Sequence, residues 1–381
     1  MNKQEKINIL EELVAIDSVN GNEKAVAAYL SAILEAHGIP SSVLVYAEDR
    51  ENLIAEIGTE TNDKVLAFSG HMDVVSAGNP AAWQSDPFKA EIRDGKMYGR
   101  GTCDMKSGLA AMVIAMIELH EEQAPLKGRL RLLATVGEEI GELGAEQLTK
   151  AGYVDDVTSM VIGEPTGYTR IVYAHKGSIN FKVASAGKNA HSSMPELGVN
   201  AIDHLNDFYT RANQLFRNVK ETDEVLGELI YNVTLISGGE QINSIPSEAM
   251  LEGNIRTIPN YDNEQVIKRM TDLVAELNQK ETYRLTLQIE ANKISVKSEK
   301  DSSIAKIAQQ VAKKQVNQEI PMAGVSGTTD AAEFTKGKQV FPVIIFGPGN
   351  NTPHQVDEYV EVANYLEMID IYKEIATTYL A

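Results

Sequence analysis

Short apolar runs, each about the length of a β-strand, alternate with helical segments along this 381-residue chain. Apolar residues recur at helical spacing over residues 3–16 and 22–36, and a buried helix is expected at Leu109–Leu119. The strand-like runs are Asn52–Ile57, Val65–Phe68, Leu130–Val136, Met160–Ile162 and Val340–Phe346. This alternation predicts an α/β domain with a central, mostly parallel sheet.

The middle of the chain has a different order of elements. Its segments are a strand at Ser178–Ser185, a helix at Asn200–Val219, strands at Tyr231–Ile236 and Ala249–Ile255, a helix at Asn263–Gln279 and a strand at Arg284–Ile289. The order β-α-β-β-α-β is typical of the ferredoxin-like fold. We therefore expect an inserted α+β domain over residues 177–293. A catalytic domain would be formed by residues 1–176 and 294–381, closed by a helix over 364–380.

Composition excludes several classes of protein. The chain has 35 Lys and Arg against 54 Asp and Glu, a net charge of −19, which argues against nucleic-acid binding and against a polybasic membrane contact. A single cysteine excludes an intrachain disulfide and fits a reducing compartment. No apolar run approaches the roughly 18 residues of a membrane span, and the charged N-terminal helix lacks the apolar core of a signal peptide. We expect a soluble, cytoplasmic protein.

Potential metal ligands follow the strand-like runs. Open α/β sheets bind ligands beyond the carboxyl ends of their strands, so polar residues that follow different strands can meet there. Asp104 does not follow a strand-like run; it lies just before the expected buried helix. The residues expected to meet at one edge are His71, Asp73, Asp104, Glu138, Glu139, Glu164 and His354.

Two imidazoles and several carboxylates suit zinc or a related first-row divalent metal. One ion would need three or four of these groups. Two ions that share a bridging carboxylate would use five and leave one carboxylate free as a general base. The adjacent Glu138 and Glu139 fit this division, and Asp73 is placed to orient the imidazole of His71.

Each candidate also has a simpler explanation. His71 could be a loop residue, Asp104 a helix cap, Glu138 and Glu139 first-turn charges, and Glu164 a turn residue. Each of these explanations accounts for one position, and none accounts for their common place at strand ends. Two other classes stay open: a metal-free binding protein, and a serine hydrolase that uses Ser326, which would need a positioned histidine. Cys103 is interpreted as a small buried residue.

The motifs resemble those of the M20 family of co-catalytic metallopeptidases, and the resemblance covers nearly the whole chain. It implies a zinc-peptidase-like catalytic domain with an inserted domain that acts as a lid and in dimerisation. The motifs are Gly70-His71-Met72-Asp73, Gly99-Arg100-Gly101 with Asp104-Met105-Lys106 and Gly108, Glu138-Glu139, Gly163-Glu164-Pro165-Thr166, and His354.

The resemblance also implies roles for these residues. One Zn²⁺ would be held by His71, Asp104 and Glu164, and a second by Glu139, Asp104 and His354, with Asp104 bridging. Co²⁺ or Mn²⁺ would be able to substitute. Glu138 would be the general base and later the acid, Asp73 would orient His71, and the peptide bond between Asp104 and Met105 would be cis.

In the inserted domain, His191 matches a histidine that reaches the partner's site in a homodimer and stabilises the oxyanion. Asn243 and Arg256 match substrate-binding positions, and the planar guanidinium of arginine suits a carboxylate. Thr328 and Thr329 lie in a segment similar to the family's substrate loop, with Thr329 where the family has serine.

The resemblance therefore implies a dizinc amidohydrolase that removes the acyl group from an N-acyl amino acid. The leading substrate is N-succinyl-LL-2,6-diaminopimelate, which would give succinate and LL-diaminopimelate for lysine biosynthesis. The alternatives are deacetylation of N-acetylornithine and a dipeptidase or carboxypeptidase of the same family.

Overall fold

The computed structural model describes all 381 residues. The helices are α1 Lys3–Ala15, α2 Glu23–Ala36, α3 Lys106–Glu121, α4 Leu143–Lys150, α5 Ala201–Phe216, α6 Asn263–Leu277, α7 Ser303–Val316, α8 Ala331–Phe334 and α9 Val362–Tyr379. The strands of the first half are β1 Ser41–Ala47, β2 Arg50–Gly58, β3 Val65–His71, β4 Glu91–Arg93, β5 Lys96–Tyr98, β6 Arg129–Thr135, β7 Ser159–Pro165, β8 Ile171–His175, β9 Gly177–Ala186 and β10 Ala190–His191. Those of the second half are β11 Thr222–Asp223, β12 Gly227–Glu228, β13 Ile230–Gly238, β14 Ser244–Ile245, β15 Glu248–Thr257, β16 Leu285–Lys293, β17 Val296–Lys297, β18 Met322–Val325, β19 Val343–Gly347 and β20 Tyr359–Glu361.

The chain forms two compact units. The first consists of residues 1–173, 298–323 and 329–381, and the second of residues 174–297 and 324–328. The observed boundaries lie within four residues of the expected ones, except that the short segment 324–328 belongs to the second unit. The carbonyl of Val325 accepts the N–H of Lys176 at 3.1 Å, and Gly324 packs so closely on Val225 that a side chain there would clash. These contacts are made by residues far apart in sequence, so the pattern of apolar runs did not indicate them.

The sheet of the first unit has the strand order β1-β2-β6-β3-β7-β19-β8. Its four central strands, β6, β3, β7 and β19, are parallel, whereas β1, β2 and β8 join antiparallel at the flanks. The sheet is therefore mixed, with its parallel part in the middle. The antiparallel flank begins with a tight hairpin between β1 and β2, where Asp49 takes a φ of +56°.

Helix α3 is the most buried element of the first unit, with every residue from Lys106 to Leu119 buried. It is apolar almost all round, as expected of a helix that is covered on every side. It packs against β3 and against α9, the closing helix expected at the end of the chain. Each large apolar side chain that it buries contributes roughly 1.5–3 kcal/mol. This packing holds the N-terminal end of α3 in place, and with it the loop immediately before the helix, which carries Asp104.

The second unit contains a four-stranded antiparallel sheet of order β13-β15-β9-β16. Helices α5 and α6 pack on it, which gives the ferredoxin-like arrangement that the sequence predicts. Burial alternates along β15, so one face of the sheet is covered and the other is not. No helix of the chain has the length and apolarity that crossing a membrane requires.

Candidate active site

Three parallel strands bring potential ligands to one edge of the central sheet. β3 ends at His71, and β7 contains Glu164 one residue before its end. β6 ends at Thr135, which pairs in register with His71, and the chain then continues to Glu138 and Glu139. Because these three strands are parallel neighbours, their carboxyl ends converge.

Asp104 reaches this edge from the loop before α3. Gly101 in that loop has a φ of +87°, and a side chain there would come within 2.7 Å of Val74 Cγ1. Only glycine combines that backbone conformation with so close an approach. The peptide bond between Asp104 and Met105 is cis, as the resemblance implied.

The carboxylate of Asp104 lies between two histidines. Its Oδ1 is 3.1 Å from Nε2 of His71, and its Oδ2 is 3.4 Å from Nε2 of His354. On one side, His71 Nε2 lies 3.7 Å from Oε1 of Glu164. On the other, His354 Nε2 lies 3.0 Å from Oε1 of Glu139. Each oxygen of Asp104 is therefore grouped with one histidine and one glutamate, as a bridging carboxylate would be.

Potential ligand atoms lie close enough together to hold metal. Those of His71, Asp104 and Glu139 lie within 4.8 Å of one another, as do those of His71, Glu138 and Glu164. His354 approaches from the loop after β19 with its backbone at a φ of +64°, an unusual conformation for histidine, and its side chain is half exposed.

The hydrogen bond of the His71 ring suits a metal ligand. Nδ1 lies 2.8 Å from the main-chain carbonyl of Asp73, so Nδ1–H donates to that carbonyl, and Nε2 is the ring nitrogen that faces Asp104. The sequence led us to expect that the Asp73 carboxylate would orient this ring, but that carboxylate is 3.7 Å away. It instead accepts the backbone N–H groups of Glu138 and Glu139, at 3.1 and 3.2 Å. Asp73 thus fixes both His71 and the loop after β6.

The charges of the cluster also fit cations. Burial on its own would raise the pKa of Asp104, but hydrogen bonds from His354 and His71 outweigh it and lower that pKa. Hydrogen bonds from the His354 ring to Asp104 and to Glu139 raise the pKa of His354 to about 10. Burial and the charge of Asp104 raise the pKa of Glu164. The cluster therefore attracts positive charge, and its nitrogen and oxygen donors are those that zinc prefers.

Glu138 lies beside the same cluster and is suited to proton transfer. Burial, followed by the negative charge of Glu164, raises its pKa well above the ordinary value for glutamate. A carboxylate with a raised pKa is a stronger base in its ionised form. Asp330 adds to this effect, and its Oδ2 accepts the hydroxyl of Thr135 at 2.6 Å.

Four of the residues predicted for substrate contact lie in the second unit. His191 and Asn243 are exposed on neighbouring segments, and the Asn243 carbonyl accepts the N–H of Ser192 at 2.9 Å. Arg256 lies near the end of β15, opposite Ser178, and Thr328 is half-buried in the segment that joins this unit. The side chains of Arg256 and Thr328 are thus placed by elements other than those that hold His191.

His191 presents a defined hydrogen-bond donor. Its Nδ1 accepts the backbone N–H of Ser193 at 3.2 Å. Because that N–H can only donate, the neutral ring carries its proton on Nε2. Thr329, in the first unit, is buried, and its hydroxyl oxygen accepts the N–H of Ala331 at 3.3 Å at the start of α8. This contact gives Thr329 a structural role in addition to any contact with substrate.

Several residues that hold the site together were missed from the sequence. Glu23 accepts the backbone N–H of Gly137, and Glu358 accepts that of Asp104, in the loops that carry the candidate ligands. Arg50 donates to the carboxylate of Glu23. From the sequence alone, Glu23 is indistinguishable from an ordinary acidic residue in the first turn of α2, and Arg50 from an ordinary charged residue at the end of a strand. Only Glu358, four residues after His354, lies near a motif that could have drawn attention to it.

Comparison with known proteins places the chain in a family. The sequence model of peptidase family M20/M25/M40 matches residues 67–378. A probable succinyl-diaminopimelate desuccinylase of Staphylococcus aureus strain N315 is 40% identical, covering 99% of this chain and 98% of that protein.

Solved structures share the whole fold. A tripeptidase from Staphylococcus aureus has a TM-score of 0.81 at 23% identity, covering 100% of this chain and 99% of its own. A dinuclear metal-binding peptidase of the M20 family from Bacillus subtilis has a TM-score of 0.75 at 18% identity, covering 99% and 98%. The fold predicted from the sequence is confirmed. The chain belongs to peptidase family M20/M25/M40 and is a metal-dependent hydrolase of amide bonds.

Proposed function

We propose that this enzyme hydrolyses N-succinyl-LL-2,6-diaminopimelate to succinate and LL-diaminopimelate, a step of lysine biosynthesis. The reaction class rests on one observation: the two-sided grouping of histidines and glutamates around Asp104, with Glu138 beside it. The substrate is supported by the name of the Staphylococcus aureus relative, which matches this chain over nearly its full length.

Two Zn²⁺ ions per chain would occupy the cluster, with Co²⁺ or Mn²⁺ as substitutes. His71 and Glu164 would hold one ion, His354 and Glu139 the other, and Asp104 would bridge them. A metal pair of this kind polarises the amide carbonyl and lowers the pKa of bound water.

Glu138 would move the proton of the reaction. We expect its carboxylate to accept a proton from the attacking water and to deliver that proton to the leaving amine nitrogen, as the carbon–nitrogen bond breaks. His191 would donate from Nε2 to the oxyanion, and the hydrogen bond between Nδ1 and Ser193 supports that tautomer.

Substrate specificity would come from the second unit and the segment after it. Arg256 would bind a substrate carboxylate, and Asn243, Thr328 and Thr329 would donate hydrogen bonds. We assign the first unit as the catalytic domain and the second as the lid and dimerisation domain. The only cysteine, Cys103, is free and buried, which supports a cytoplasmic location.

We further propose a homodimer formed through the second unit, with His191 of each chain acting in the site of the other. The open edge strand β13 supports this arrangement. Leu235 and Ile236 on it are 60% and 67% exposed, which is unusual for large apolar residues on an unpaired edge.

The test is a substrate panel with purified, zinc-loaded enzyme. It would compare N-succinyl-LL-2,6-diaminopimelate with N-acetylornithine and a set of di- and tripeptides, and follow loss of the amide. We expect the highest kcat/KM for the succinyl substrate, and we expect Glu138→Gln to lower its kcat by about 10²–10⁴-fold with metal content unchanged. Equal or faster cleavage of N-acetylornithine or of a peptide would overturn the proposed substrate. Full activity of Glu138→Gln would overturn the proposed base.

A further inference from the structure

Four consecutive backbone N–H groups, those of residues 136–139, each donate to a fully buried side chain. This segment, called the base loop below, follows β6 and carries Glu138 and Glu139. The pairs are Val136 N–H with Asn52 Oδ1 at 2.9 Å, Gly137 N–H with Glu23 Oε1 at 3.1 Å, Glu138 N–H with Asp73 Oδ1 at 3.1 Å and Glu139 N–H with Asp73 Oδ2 at 3.2 Å. Asn52, Glu23 and Asp73 are each 0% exposed.

These acceptors come from three separate parts of the chain. Glu23 is the first residue of α2, Asn52 lies on β2, and Asp73 follows β3. Buried N–H groups must find partners, and those of the base loop find side chains instead of a neighbouring strand. The position of the base loop therefore depends on where these three side chains are held.

Arg50 holds Glu23 in place. Its Nε donates to Oε2 of Glu23 at 2.9 Å, and its second nitrogen bonds the same Oε1 that accepts the N–H of Gly137. The hydrogen bond with Glu23 raises the pKa of Arg50, and the nearby charge of Asp73 adds to it. Arg50 thus pairs directly with the buried carboxylate of Glu23, and its charge also lies near the buried carboxylate of Asp73 beside the same loop.

Gly137 shows how tightly this arrangement is built. Its φ is +64°, and a side chain at this position would come within 2.7 Å of a guanidinium nitrogen of Arg50. The guanidinium therefore packs directly on the base loop, in addition to fixing the carboxylate of Glu23. A bidentate arginine–carboxylate pair has a defined geometry that a lysine cannot reproduce.

We propose that Glu23 and Arg50 are positioning residues for the hydrolysis, which set the place of the base loop and thereby of Glu138 and Glu139. The inference rests on the proposed function, in which Glu138 transfers the proton and Glu139 holds a metal ion. Glu23 and Arg50 act only through the loop. A displacement of about 1 Å in a catalytic group can cost roughly 100-fold in rate, so the effect of losing either residue is measurable.

The first test separates positioning from stability through the kinetic parameters. Glu23→Ala leaves the N–H of Gly137 and the charge of Arg50 without their partner, and we expect kcat to fall about 100-fold while KM stays close to the wild-type value. Glu23→Gln keeps an oxygen for Gly137, so it recovers a large part of kcat. Arg50→Lys keeps the charge but loses the bidentate geometry, so we expect its kcat to lie between those of Glu23→Ala and Glu23→Gln.

The control is an ion pair on the same strand. Glu56, near the other end of β2, accepts Nε of Arg131 at 2.7 Å. We expect Glu56→Ala to lower the melting temperature and to leave kcat unchanged. Variants are compared after circular dichroism shows native secondary structure. If Glu23→Ala does not fold, Glu23→Gln and Arg50→Lys carry the test, because each preserves part of the pair.

A second readout needs no substrate. Because Glu139 lies in the base loop, we expect Glu23→Ala to weaken zinc binding by about 10–100-fold, measured by competition with a chromogenic chelator. A folded Glu23→Ala protein with wild-type kcat and wild-type zinc affinity would show that Glu23 is only structural, and the inference would be wrong. If the wild-type enzyme cleaves none of the amides, the proposed function fails, and the zinc affinity alone decides whether Glu23 positions the loop.

Discussion

The buried carboxylate of Glu358 accepts the backbone N–H of Asp104 at 2.9 Å. The same oxygen accepts the N–H groups of Gly101 and Cys103, at 3.1 and 2.8 Å, and the other oxygen bonds Arg100. Glu358 follows His354 by four residues. One side chain therefore ties the loop of Asp104, the proposed bridging ligand, to the segment that carries His354.

Removing this carboxylate should cost both stability and metal binding. Glu358→Ala leaves three buried N–H groups without an acceptor, and each such group costs about 1–3 kcal/mol. We expect the free energy of unfolding, measured by urea denaturation, to fall by about 3 kcal/mol or more. Zinc affinity should fall as well, because the Asp104 loop loses its anchor.

The matched variant is Glu358→Gln, which keeps an oxygen for the N–H groups and loses only the charge that faces Arg100. We expect it to retain more stability and more zinc than Glu358→Ala. If the alanine and glutamine variants were equally destabilised, the charge pair with Arg100 would matter and the backbone contacts would not.

The geometry around Asp104 predicts the metal stoichiometry. We expect metal analysis to find two zinc ions per wild-type chain and one per chain in His354→Ala, because His71 and Glu164 lie on the other side of the carboxylate. Chelation should abolish activity, and zinc should restore it. A wild-type content of one ion at saturation would contradict the bridging role of Asp104.

Most of the fold could be predicted because its elements follow local patterns. The apolar run Val65–Phe68 predicted β3, and the strand continues to His71. Helix α3 was expected at Leu109–Leu119 and begins earlier, at Lys106. The polar Lys106 gives no apolar signal in the sequence, and it is buried because its amino group donates to the carbonyls of Leu13 and Ile16. The strand β1 was missed, since most of its side chains are exposed and its apolar residues give no buried face.

The clustering of the candidate ligands could be predicted for a similar reason, since parallel strands end at one edge and the residues that follow them are visible in the sequence. The supporting residues could not. Glu23 and Glu358 act on backbone N–H groups more than a hundred residues away, and Asp73 uses its carbonyl for His71 and its carboxylate for the base loop. A sequence pattern records side-chain types and contains no information on such backbone contacts.

The exposed edge of the second unit predicts the effect of a charge on assembly. Leu235 on β13 is 60% exposed, and a lysine there would oppose strand pairing with a second copy. We expect sedimentation to show a dimer for the wild type and a monomer for Leu235→Lys. The monomer should lose kcat, because His191 would no longer reach a partner site. The control is Val43→Lys on β1, which replaces an apolar residue that is 47% exposed and lies in the first unit. A monomeric wild type would contradict the homodimer.

His175, in the second unit, predicts how stability depends on pH. Burial lowers its pKa from 6.5 to about 4, although the hydrogen bond from Nδ1 to the Lys176 carbonyl opposes the shift. The unfolded chain therefore binds a proton below pH 6.5 that the folded chain does not bind until about pH 4. The stability from this group is fully present above pH 6.5 and is lost as the pH falls towards 4, a change of about 3 kcal/mol.

His175→Asn keeps an N–H for the Lys176 carbonyl and does not titrate, so its unfolding free energy should fall less steeply over this range in urea titrations. His120→Asn, which replaces an exposed histidine near the end of α3, is the control. Equal slopes for the wild type and His175→Asn would show that His175 is not the group responsible.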